Sequence, residues 1–262
     1  MNVFITGASS GIGAALAVEL ARRGATLGLV ARRQAQLDDL ARSLPGKHQT
    51  YAVDVTDKLA LKAAGEAFER DTGGADIVIA NAGISVGVKT EHYEDLAEFD
   101  RVMATNVSAL AYTFHPFIAP MKTRRRGTLV GIASVAGIRG LPGSEAYCAS
   151  KSAAITYCES LRIDVRRFGV DVVTICPGFI RTPLTAKNPY PMPFLMNADA
   201  FARRAVDAIL AQTSYAVIPW QMAVVAKLLR VLPNWAFDRL FARRKQKPRS
   251  TATPSPPSGG EG

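Results

Sequence analysis

Thr6-Gly7-Ala8-Ser9-Ser10-Gly11-Ile12-Gly13 is the stretch on which the reading of this chain turns. It follows the apolar run of residues 3–6. After it, Ala14, Leu16, Ala17, Leu20 and Ala21 recur at helical spacing until Gly24, a C-cap signal. The chain therefore opens as strand, glycine turn, helix, strand. Glycines in such a turn permit a tight reversal, let backbone approach a pyrophosphate and let helix close on strand, while the helix N-terminus favours negative charge. The spacing, Gly-x-x-x-Gly-x-Gly, differs from the common dinucleotide fingerprint, so the turn needs support from elsewhere in the chain.

That support begins with periodicity. Short runs rich in Val, Ile and Leu at residues 26–31, 50–53, 77–80, 128–133, 170–176 and 215–219 alternate with segments of helical spacing. The alternation predicts a parallel sheet with helices on both faces. Two long helical segments, about 99–122 and 147–168, flank the run at 128–133, and their apolar faces also suit a subunit interface. With 262 residues, 48% of them apolar, one sizeable core in one domain is expected. Cys148, Cys158 and Cys176 are an odd set without ligand spacing, read as small buried hydrophobes in a reducing, cytoplasmic setting; no leader segment is recognised. His48, His92 and His115 show no ligand spacing either, and no metal is expected.

The net charge of +10 sits at the end of the chain: residues 227–249 carry eight basic side chains against the single acid Asp238. No nucleic-acid module accompanies it, so the charge by itself predicts only salt-sensitive, nonspecific contact. Where the second strand ends, however, Arg32 and Arg33 stand at the distance from the glycines at which an acid would bind a ribose 2′-hydroxyl. Two guanidinium groups there suit a 2′-phosphate instead, which points to NADP(H).

Chemistry is carried further along. In Tyr147-Cys148-Ala149-Ser150-Lys151 the spacing of four puts Tyr147 and Lys151 on one helix face, where an ammonium lowers the phenol's pKa toward the range useful for proton transfer. Ser134, thirteen residues earlier, falls just past a strand end, where open parallel sheets place ligands. Asn106 is an odd residue for an apolar helical context and is suited to ordering a water.

Taken together, Thr6-Gly-x-x-x-Gly-x-Gly13, Asp54, Asn81-Ala82-Gly83, Asn106, Ser134, Tyr147-x-x-x-Lys151 and Pro177-Gly178 resemble the short-chain dehydrogenase/reductase family over roughly residues 2–182. The resemblance implies a doubly wound, Rossmann-type fold with a seven-stranded parallel sheet. It also implies hydride transfer between NADP(H) and a carbonyl or secondary alcohol. Tyr147 would give or take the proton, Lys151 would bind the nicotinamide ribose, Ser134 would orient the carbonyl and Asn106 would hold a relay water. The turn from Thr6 and Gly7 through Ser9, Ser10, Gly11 and Ile12 to Gly13 would bind the cofactor, with Asp54 and Val55 at the adenine. Asn81, Ala82 and Gly83 would run along the cofactor cleft with Pro177 and Gly178, and Ile180 and Thr182 would lie near the nicotinamide amide. Ala80 stands where the family often has Asn.

A catalytic unit over residues 1–219 is thus expected, with a substrate loop at 183–199 whose Leu184, Tyr190, Phe194, Leu195 and Met196 suit an apolar, lipid-like substrate; an ordinary loop is the other reading. Residues 220–247 read as basic amphipathic helices in which Met222, Val225, Ala226, Leu229 and Leu232 share a face. Membrane-surface contact from the cytoplasmic side, a subunit interface and a cover for the site all stay open as their role; no run is long enough to span a bilayer. Residues 248–262 are expected to be disordered. A homodimer or homotetramer fits the resemblance, and a non-catalytic NADP(H)-binding regulator or scaffold of the same family is the alternative to an enzyme.

Overall fold

The computed structural model describes residues 1–186, 188–242 and 247–249. Strands β1 (Asn2–Thr6), β2 (Thr26–Ala31), β3 (Gln49–Ala52), β4 (Ile77–Ala80), β5 (Thr128–Ile132) and β6 (Asp171–Pro177) are joined by β9 (Tyr215–Ile218) in one seven-stranded sheet. The strand order is β3-β2-β1-β4-β5-β6-β9, and each neighbouring pair is parallel. Two short strands, β7 (Ile180–Arg181) and β8 (Met196–Asn197), pair separately. The periodicity predicts the parallel sheet with helices on both faces, and the doubly wound, seven-stranded order is the one that the family resemblance implies.

Side chains alternate across each strand, so the two sheet faces build two cores. Val3 and Ile5 of β1 join Leu27, Leu29, Val130 and Val173 beneath α1 (Gly11–Arg22), α2 (Gln34–Ser43) and α7 (Ala198–Leu210). Phe4, between them, faces the other way with Val30, Val78 and Leu129 beneath α3 (Lys58–Thr72), α5 (Ala109–Arg124) and α6 (Glu145–Arg166). There its ring lies 5.5 Å from that of Phe68 and 4.9 Å from that of Phe117. Full burial of each such ring stabilises the fold by roughly 1.5–3 kcal/mol. The three cysteines are free and buried.

The sheet order reverses between β1 and β4, and the chains leaving their C-terminal ends diverge, which opens the cleft described below. The helix expected at 99–122 is interrupted. α4 (Asp95–Met103) gives way to a π-helical turn, Ala104–Ser108, before α5 begins. Asn106 sits in this turn, whose wider winding is common at functional sites.

Beyond β9, α8 (Trp220–Val231) packs beside that strand and α9 (Asn234–Phe241) follows it, with Met222, Ala226, Phe237 and Phe241 buried. Arg139, in the loop after β5, pins them. Its guanidinium donates to the carbonyls of Leu229 and, at 2.6 Å, Leu232, and to Asn234 Oδ1 at 3.0 Å, while lying 4.0 Å over the Phe237 ring. A cation on the last carbonyls of α8 also complements the helix dipole. Arg139→Ala should therefore lower the thermal midpoint by about 3–8 °C, read by circular dichroism, since these bonds amount to roughly 1–2 kcal/mol.

Pro248 and Arg249 depart from the expected disorder. Arg249 pairs in parallel with Gly87, and its guanidinium donates to Asp95 Oδ2 at 2.8 Å and to Glu94 Oε1 at 2.9 Å. The ion pairs hold the segment down, and Lys247 adds a bond to Ser85 Oγ at 2.9 Å. The rest of the expected disordered stretch, 250–262, lies outside the described residues. Among the described residues no helix is long and apolar enough to cross a membrane.

Candidate active site

The cleft at the switch point has a volume of about 630 Å³, within the range of small-molecule sites. At one end Ser9, Ser10, Gly11 and Ile12 form its wall where β1 turns into α1. Gly7, with φ of 67°, makes the reversal in a backbone region that side chains disfavour. The first turn of α1 carries no acidic residue, and Ser10 caps it without using its side chain, so the leading amides are available to an anion.

Two residues expected in this wall stand behind it. Thr6 is buried, its hydroxyl accepting from the amides of Asn81 at 3.2 Å and Ala82 at 3.3 Å, and Asn81 Nδ2 donates back to the Thr6 carbonyl at 3.0 Å. Together they tie β1 to β4. At Gly13 a Cβ would collide with the Gly7 carbonyl, so this glycine closes helix on strand instead of facing a ligand.

Arg32 and Arg33 line the cleft beyond β2, both exposed, with Asp54 and Val55 opposite. Asp54 accepts from the Thr56 amide at 2.9 Å and its hydroxyl at 2.8 Å. These bonds, with the charge of Arg32, hold its carboxyl below the usual aspartate range. Asn81, Ala82 and Gly83 line the floor; Pro177, Gly178, Ile180 and Thr182 form the far wall.

Ser134, Tyr147 and Lys151 converge at the inner end. Ser134 leaves β5 and caps a 3-10 turn, accepting from the Ala136 amide at 3.1 Å. Tyr147, half-buried in the first turn of α6, is pushed up to about 12 by burial, partly offset by a hydrogen bond with Ser134. The Lys151 ammonium lies 5.9 Å from the Tyr147 ring centroid and donates to the Ile132 carbonyl at 2.8 Å. Burial lowers it to about 8. The lysine was expected to draw the phenol down; here burial is the largest influence and sets an upward direction.

Asn106 lies behind this group and not on the cleft surface. Its Oδ1 accepts from the Ile84 amide at 2.8 Å, and its Nδ2 donates to the Ile84 carbonyl and to Ser150 Oγ, both at 2.9 Å. Ser150 in turn donates to the Tyr147 carbonyl at 2.8 Å. The π-helical turn is thereby bound to α6 and to the loop after β4. Ser150 was missed although it lies inside the Tyr-x-x-x-Lys motif. Thr185, which ties the loop after β7 by donating to the Ile180 carbonyl at 2.6 Å, was also missed. Arg101 and Thr105 line the cleft too, with no sequence signal to mark them.

The model of the family described as short chain dehydrogenase matches residues 1–191. The chain is 40% identical over 245 residues to an uncharacterized oxidoreductase of Myxococcus xanthus, covering 92% of this chain and 96% of that one. It is 32% identical over 243 residues to epidermal retinol dehydrogenase 2 of Mus musculus, covering 88% and 78%. A short-chain dehydrogenase from Sphingobium yanoikuyae in complex with NADPH matches with a TM-score of 0.76 and 27% identity, covering 94% of this chain and 96% of that one. The chain belongs to the short-chain dehydrogenase family of oxidoreductases, which bind a nicotinamide cofactor.

Proposed function

We propose that this chain is an NADP(H)-dependent enzyme that interconverts a carbonyl compound and its alcohol, with Tyr147 as acid/base and an apolar, lipid-like ketone or aldehyde as substrate. The observation that carries this reading is one cleft with Arg32 and Arg33 at one end and Ser134, Tyr147 and Lys151 at the other.

The donor set fits the cofactor. The amides at the start of α1 suit its pyrophosphate, Arg32 and Arg33 its 2′-phosphate, Asp54 and Val55 its adenine side, and Lys151 its nicotinamide ribose. When bound, the nicotinamide supplies or accepts hydride.

The protein's own groups handle the substrate oxygen. The hydroxyls of Ser134 and Tyr147 donate hydrogen bonds to it, and they strengthen as negative charge gathers there in reduction. Tyr147 is protonated at neutral pH, its pKa being about 12, so it is ready to give its proton to that oxygen. The charged Lys151 stabilises the phenolate left behind. Asn106, behind the cleft surface, holds the Ile84 backbone and, through Ser150, the start of α6, and is the residue to which the resemblance gives the relay water. Residues 183–199 act as the lid, where exposed Leu184 and Phe194 favour an apolar substrate. The name of the mouse relative, a retinol dehydrogenase, supports the same substrate class.

Titration with NADPH and NADH tests the assignment. Changing Arg32→Ala together with Arg33→Ala should raise the NADPH Kd by about 10- to 100-fold, the worth of one or two charge-assisted bonds, and barely move the NADH Kd. Equal changes in both would remove the 2′-phosphate from the reading.

A further inference from the structure

We propose that the outward faces of α8 and α9 dock the protein on the surface of an anionic lipid bilayer. The inward faces are already used: Met222, Ala226, Phe237 and Phe241 are buried, and Arg139 together with the Arg230 bond to the Ile138 carbonyl at 3.1 Å fixes the helices in place. On the side of α8 away from Met222 and Ala226, Trp220, Val224, Leu228 and Val231 recur at intervals of four, four and three, forming one stripe. Trp220 is 66% exposed, Leu228 62% and Val231 79%. On α9, Trp235 is 75% exposed and Leu240 63%. A surface helix ordinarily turns polar residues to water, so this face is inverted, and an apolar patch of this kind marks a contact surface.

Charge selects the occupant. Lys227 and Arg239 are exposed on these two helices, and Asp238 is the one acidic residue between 220 and 242. A second copy docked by two-fold symmetry would bring these cations against their own kind. An acidic protein would satisfy the cations but would also have to supply a matched pocket for each large side chain. A bilayer takes both: headgroups meet the cations, the interfacial layer takes Trp220 and Trp235, and the upper acyl region takes Val224, Leu228 and Val231. α8 also begins beside the cleft, since a Cβ on wall residue Gly178 would come within 2.8 Å of Met222. Delivery of a lipid-soluble substrate by this route rests on the proposed function; docking itself does not.

The chain's only two tryptophans, Trp220 and Trp235, are both exposed on α8 and α9, so intrinsic emission reports on these helices directly. The full-length protein is mixed with vesicles of equal parts phosphatidylglycerol and phosphatidylcholine, or of phosphatidylcholine alone, and followed by emission and by pelleting. The expected result is a blue shift with the anionic vesicles, quenching by lipids brominated on the acyl chain, and weakening at high salt. The Val224→Glu, Leu228→Glu double variant should bind at least about tenfold more weakly with an unchanged melting temperature and cofactor affinity. An emission spectrum indifferent to both vesicle types overturns the proposal, as does undiminished pelleting of the double variant. A blue-shifted dimer without lipid, dissociated by Leu228→Glu, assigns the face to a second copy. None of these readings needs turnover, so failure of the reductase assignment is seen separately.

Discussion

Tyr147→Phe should lower kcat for carbonyl reduction by about a hundred- to ten-thousandfold while the NADPH Kd changes less than about threefold, measured by cofactor absorbance and by titration. The substitution removes one hydroxyl and leaves the ring that fills the start of α6, so the fold and the dinucleotide end of the cleft are untouched. Direction matters to the pH dependence of the unmodified protein. By the proposed mechanism, reduction consumes the protonated phenol, which persists up to about pH 12, and uses the Lys151 charge, which fades as pH rises past about 8. Reduction should therefore weaken on the alkaline side of about pH 8, whereas alcohol oxidation, which needs the phenolate, should gain with rising pH. Full activity in Tyr147→Phe would move the proton transfer to another group.

Gly13→Ala should be the most damaging single methyl group that can be added near the cleft. The new Cβ would meet the Gly7 carbonyl head on, with its carbon only 2.8 Å away and Asn81 Nδ2 also in the path. Backbone cannot swing aside as a side chain can, so α1 must lift from β1 and carry the Gly7–Ser10 turn with it. We expect a fall in the thermal midpoint on the order of 10 °C, from overpacking of about 3 kcal/mol, and loss of measurable dinucleotide binding by the protein that remains folded. A variant that binds NADPH with native affinity would show that the turn tolerates displacement.

These two residues also mark what was legible in the sequence. Tyr147 was found because its partner lies four positions away on the same helix, and Thr26–Ala31 and Ile77–Ala80 were read to the residue because strands buried on both faces appear as unbroken apolar runs. Gly13 and Thr6 were recognised, and the structure sets both behind the cleft surface. Spacing shows that a residue belongs to a turn, not whether it faces a ligand or the neighbouring strand. The π-helical turn at Asn106 was invisible, since apolar periodicity over residues 99–122 runs through an extra residue without a visible break. Arg139 and Arg249 carried no signal because each works on partners that only the folded chain brings near: Asn234 lies 95 positions beyond the first and Asp95 lies 154 before the second.

That last separation bears on how the molecule is made. Asp95 is 1% exposed and starts α4, just after the loop that leads from Ile84 on the cleft wall. Its bonds from Arg249 cannot form until Arg249 itself has left the ribosome. At typical synthesis rates this is on the order of 10 s after Asp95 itself has emerged. Through that interval the sheet from β1 to β6 can assemble in chain order, each strand beside the one just made except β4, which returns to β1. The loop at residues 84–95, which leaves Ile84 on the cleft wall, is then tied down by Lys247 and Arg249, so a nascent chain stalled before Arg249 would carry a formed sheet with this loop still loose.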